Sequence, residues 1–147
     1  MVIKNDVNLN ELFENSKKIG PGKIGGSVST VPFATISPRT QSISLNYLTI
    51  KILKELGLLL KGRVYIEMGC TNDYLLLKIS TEPTPDSFVA TPKKFGPAAA
   101  TETLRIGAKP LITKLNKYME GDKPLRLNLR KHHMVNETSI ILAFRLP

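Results

Sequence analysis

Two short runs, RVYIEM at 63–68 and YLLLKI at 74–79, hold the residues best suited to binding chemistry. Both alternate apolar and polar residues, and a strand sends successive side chains to opposite faces. With Val64, Ile66 and Met68, and Leu75, Leu77 and Ile79, turned to a core, the other face of this hairpin presents Arg63, Tyr65, Tyr74 and Lys78. Cations beside flat rings are the pairing that a nucleic acid strand needs. Lys and Arg neutralise phosphates, and aromatic side chains stack on bases irrespective of sequence, at about 1–3 kcal/mol per base. Arg126, Arg130 and Arg145 supply charge at corresponding places of a second hairpin, and Lys93 and Lys94 beside Phe95 make a loop version of the same mixture.

Other chemistries fit the sequence less well. The glycine-rich run IGPGKIGGSVST suggests a phosphate loop, but that motif requires Ser or Thr directly after its lysine and a helix beyond. Here Lys23 is followed by Ile24, and strand-like sequence comes next. His132 and His133 are adjacent in KHHMVNE, which reads as a long hairpin turn; on a strand they would point to opposite faces and could not grip one ion. The carboxylates are scattered and no Ser or Cys is paired with a histidine, so the reading is of a non-enzyme without metal or cofactor. Cys70, the one cysteine, falls in a hairpin turn and cannot form an internal disulfide, which suits a reducing cytoplasm.

Charge points the same way. The 147 residues carry 21 Lys and Arg against 12 Asp and Glu, a net charge of +9. By segment the counts are 4 against 3 in residues 1–30, 6 against 3 in residues 31–80, and 11 against 6 in residues 81–147. The excess lies on the part expected to fold, where a formed surface could hold a polyanion. No apolar run approaches the roughly 18 residues of a membrane span, and the N-terminus lacks the apolar stretch of a signal peptide, so a cytoplasmic location is expected.

The elements that must position these residues follow from periodicity. Residues 1–30 read as an N-terminal arm and flexible linker: Asn8 and Glu11 make a capping box, and Leu9, Leu12 and Phe13 a short apolar stripe that needs a partner surface. VPFATIS and QSISL are strands either side of a Ser37-Pro38-Arg39-Thr40 turn. Asn46 caps a helix over 47–57 that Gly57 closes. The hairpin of 64–79 follows, then a proline-bearing bridge, TEPTPD, and weaker strands near 87–91 and 102–106. Gly107 stands at the cap position of a second helix, with Pro110 in its first turn and Gly121 at its end; a last hairpin covers 125–130 and 138–146.

Shifting the first half by 61 residues lays Asn46 on Gly107, and Val64, Ile66 and Met68 on Leu125, Leu127 and Leu129. The fold class expected is therefore α+β, with two tandem β-β-α-β-β units, 31–81 and 86–147, whose antiparallel sheets pack on two helices within one domain of residues 31–147. Read across the boundary, the strands near 64, 75, 88 and 103 followed by the helix near 110 make a β-β-β-β-α run. That order resembles the unit of the positive cofactor four and whirly class of single-stranded-DNA-binding proteins, and SISLNYLTIKILKELGLLLKGRVYIEMG followed by NDYLLLKIS resembles small members of phage or Bacteroidetes type. The resemblance implies single-stranded nucleic acid as partner. Two other readings stay open: a structural or assembly protein, such as a virion component, forming homo-oligomers through the N-terminal arm, and a duplex-binding regulator resembling the looped-hinge, AbrB-like family.

Overall fold

The computed structural model describes residues 31–147. The expected arm helix and linker of residues 1–30 lie outside the described residues. Nine strands and two short helices follow in the order β1 (Phe33–Ser37), β2 (Ser42–Leu45), α1 (Tyr47–Glu55), β3 (Val64–Cys70), β4 (Tyr74–Ser80), β5 (Phe88–Ala90), β6 (Lys93–Lys94), β7 (Glu102–Gly107), α2 (Lys109–Leu115), β8 (Leu125–Asn136) and β9 (Ser139–Arg145). All pairings are antiparallel, and the strands form one sheet in the order β5-β3-β4-β9-β8-β1-β2-β7-β6. The sheet curves into a half-barrel, and β5 near one end comes within 8 Å of β7 near the other without a paired register between them.

Alternation decides which face is inside. Ala34 and Ile36, Ile43 and Leu45, Val64 and Ile66, Leu75, Leu77 and Ile79, Leu104 and Ile106, and Ile140, Leu142 and Phe144 are all buried in one continuous core. Ile50 and Leu53 of α1 and Leu111 and Leu115 of α2 join that cluster. The convex side has no helix from the described chain over it among these core contacts, and its side chains are half-buried or exposed apart from Ser42, Ser80, Ser139 and Ala143. Among the described residues no helix is long and apolar enough to cross a membrane.

Local signals explain where elements start and stop. Asn46 is 9% exposed, and its Oδ1 accepts from the Thr49 backbone N–H (3.2 Å), the Thr49 hydroxyl (2.8 Å) and the Phe33 N–H (3.0 Å), while its amide donates to the Val31 carbonyl (2.9 Å). One side chain thus caps α1 and ties it to the start of β1. Gly57 has φ +76, the left-handed conformation that ends α1 one residue past the Leu56 cap. Gln41, closing the β1–β2 turn, holds φ +51 although it is not glycine.

Four elements differ from expectation. Cys70 ends β3, paired with Leu75, rather than lying in the hairpin turn. The segment KHHMVNE is strand rather than turn: β8 runs for 12 residues to Asn136, and the hairpin closes at Glu137-Thr138, with Asn136 Oδ1 accepting from the Thr138 N–H (2.8 Å). Ladder hydrogen bonds to the apolar β9 hold these polar residues extended, a long-range cause that local pattern does not carry. Lys93 and Lys94 form a two-residue edge strand against β7 instead of a loop. Gly107 ends β7, and Ala108 stands at the cap of α2 with Pro110 in its first turn.

Candidate nucleic-acid interface

Partners directly opposite in an antiparallel ladder share a face, so the registers give the convex surface row by row. Across four strands one row reads Arg126–Thr35–Ser44–Arg105. With about 4.8 Å between neighbouring strands, its two guanidinium-bearing positions stand roughly 14 Å apart. The adjacent positions on this face are Phe33 opposite Asn128, Ser37 opposite Ser42, and Lys93 opposite Thr103. This part of the convex face therefore carries cations, hydroxyls and a ring, and none of the named positions is a carboxylate. Arg126 lies over the Phe33 ring at 4.0 Å from its centroid, close enough for cation–π attraction.

A groove of about 530 Å³ lies at the β7 end of that row. Lys93, Arg105, Phe95, Ser42 and Thr103 are among the residues lining it. Phe95 is 70% exposed, an aromatic ring held in solvent beside two cations.

Where β8 passes from β1 to β9, a second cluster forms. A bulge between Leu129 and Lys131 puts the extra residue Arg130 at the changeover. Lys131 opposite Ala143, His133 and Lys78 on either side of Ile141, and Arg145 opposite Tyr74 then occupy the same convex face. The Tyr74 ring has Lys131 Nζ at 5.2 Å and Arg145 Cζ at 5.5 Å from its centroid. Glu67, opposite Lys78, is the carboxylate of this region. The ion pairs found among the described residues use Lys54 with Glu102, Lys61 with Glu82 and Lys123 with Glu120, so the convex-face cations named here are not drawn into them.

The structure divides the nine sequence-derived residues. It brings Tyr74 and Arg145 together, places Lys78 four residues along β4 on the same face, and leaves Arg130 in the β8 bulge without a ladder partner. Arg126 heads the other row. Arg63 and Tyr65 sit at the opposite end of the β3–β4 hairpin: Tyr65 pairs with Ser80, six residues along β4 from Tyr74, which is about 20 Å at strand rise. There the Arg63 Nε–H donates to the Tyr65 hydroxyl (3.1 Å), and that bond raises the Arg63 pKa further above its already high value. Lys93 and Lys94 part company, because Lys93 shares the face of Thr103 and Arg105, whereas Lys94 pairs with Glu102, which turns toward α1 to meet Lys54 (2.7 Å). Arg105 and Lys131 were not singled out by sequence. Arg105 alternates with Leu104 and Ile106 just as Arg126 does with Leu125 and Leu127, so that signal was available. Among the described residues no group of three or more His, Cys, Asp or Glu is placed to hold a metal ion.

Comparison of the chain with protein-family models, with curated proteins and with solved structures finds no match in any of the three.

Proposed function

We propose that the protein is a non-enzymatic, sequence-tolerant binder of single-stranded nucleic acid, which lies along the convex face from the Lys93–Phe95–Arg105 groove past Arg126 toward Tyr74 and Arg145. The observation carrying this reading is the carboxylate-free row Arg126–Thr35–Ser44–Arg105, flanked by Phe33 and by the groove. Phosphates are met by guanidinium groups and hydroxyls, and Phe95 and Tyr74 are sites for base stacking, which needs no particular sequence. A duplex would offer phosphates but no free base faces, leaving those rings without a role.

The same reading takes the fold as two β-β-α-β-β units. Its support is topological: if β5 and β7 count as neighbours, exchanging β1 with β5, β2 with β7, β3 with β8 and β4 with β9 returns the same circular strand order. In this reading β6 is an addition to the second unit.

The test is titration of the protein into fluorescently labelled oligothymidine at low salt, read by anisotropy, with unlabelled duplex as competitor. Binding is expected, with duplex a poor competitor, and Arg105→Ala, Arg126→Ala and Tyr74→Ala each weakening it. No binding, or variants that bind as tightly as the parent, would remove the proposal. Duplex competing on equal terms would redirect it to a double-strand regulator.

A further inference from the structure

A second cavity, of about 590 Å³, opens on the concave side where the half-barrel fails to close. Its walls include Met68 from β3, Phe88 from β5, and Pro110 and Leu111 from α2, while Lys109 and Lys114 of α2 also line it. Two of these apolar side chains are unusual for their positions. Phe88 pairs with Ile66 and Met68 with Leu77, so both share the inward face of this part of the sheet with the buried Val64, Ile66, Leu75, Leu77 and Ile79. Phe88 is nonetheless 55% exposed, and Met68 is only partly buried. Wetting of inward-facing apolar surface is unfavourable, and a cavity in the range of about 300–1,000 Å³ with apolar walls and a few polar groups is the form of a small-molecule site.

The geometry points to a binding site for an amphipathic anion: an apolar body against Phe88, Met68 and Leu111, with its negative head held by Lys109 and Lys114. Asp86 is the carboxylate of the lining, so the cations outnumber it two to one and an anionic head is favoured over a cationic one. Neither lysine is used in the ion pairs found among the described residues. The cavity shares Thr40 and Gly107 with the groove at Arg105 but none of the cations of that row, and this inference does not depend on the nucleic-acid reading.

Cys70 supplies a reporter, because it is the chain's one cysteine, is exposed and lines the cavity. The reaction of Cys70 with a thiol-specific chromogenic disulfide would be timed in the full chain with decanoate, octanoate, decanol or acetate, each below its aggregation concentration. Decanoate is expected to slow the reaction saturably, octanoate to need about tenfold more for the same protection because two fewer methylenes are buried, and acetate to do nothing. Lys109→Glu with Lys114→Glu should weaken decanoate at least fivefold and leave decanol unchanged, and Phe88→Ser, at a half-exposed position the fold can spare, should weaken both. Decanoate giving no protection would overturn the assignment, as would equal protection of the lysine variant by decanoate. A full chain whose Cys70 is already unreactive, and becomes reactive once residues 1–30 are removed, would also overturn it, by showing that the chain's own N-terminal segment fills the cavity.

Discussion

Replacing Asn46 by alanine removes one small side chain and four hydrogen bonds at once. Its Oδ1 accepts from Thr49 N–H, Thr49 Oγ1–H and Phe33 N–H, and its amide donates to the Val31 carbonyl. Loss of a helix cap costs about 1 kcal/mol. The Phe33 N–H, in part-buried surroundings, then loses its side-chain acceptor, at about 1–3 kcal/mol more. The expected destabilisation is therefore about 2–4 kcal/mol, a large part of the roughly 5–15 kcal/mol that holds a typical domain together. Asn46→Asp keeps the acceptor oxygen, and its charge is favourable at a helix N-terminus, so it should cost less than the alanine change. Urea unfolding followed by circular dichroism measures both. The consequence extends to the candidate interface, because Phe33 is the ring beneath Arg126. An alanine variant within about 0.5 kcal/mol of the parent would refute the argument that this residue couples α1 to β1.

Three further outcomes are expected. If four convex-face cations meet phosphates, the logarithm of the oligothymidine binding constant should fall against the logarithm of salt concentration with a slope near about −2.8, and removing Arg105 and Arg126 together should halve that slope. Anisotropy titrations at several salt concentrations would show it, and an unchanged slope would exclude both residues from phosphate contact. Gln41→Gly should raise stability by about 0.5–1 kcal/mol in urea unfolding, since φ +51 burdens any residue with a Cβ while the backbone carbonyl keeps its bond from the Ala108 N–H. The Glu82 carboxyl is held below the usual glutamate range by its hydrogen bond to Lys61 and then by the lysine charge, so NMR titration should find it low, and Lys61→Ala should move it back up.

Legibility followed the range of the interaction that decides each feature. Strands with strict alternation, such as Tyr74–Ser80, and ends marked by Asn46 or Gly57 were readable because the deciding residues lie within one turn or one strand. The passage of β8 through His132 and His133 was not, because its cause is the β9 ladder rather than its own polar sequence. Strand order was also hidden. β5 pairs with β3 rather than with β7. For the candidate interface, the hairpin pattern assigned Tyr65 and Tyr74 correctly to one face, but register places them at its two ends, and adjacent Lys93 and Lys94 turn opposite ways. Face follows from parity, whereas proximity requires knowing which strands are neighbours.

The 12-residue strand β8 gives its first third to β1 and its remainder to β9, so each half of the sheet lacks a wall without it. Contacts so far separated along the chain must be assembled before any are secure, which slows the search for the native state. Neither 31–81 nor 86–147 expressed alone should then give a folded piece, and both would leave bare strand borders prone to clumping. Melting of the intact chain is correspondingly expected as one all-or-none event, seen at the same denaturant concentration by tyrosine fluorescence and by circular dichroism.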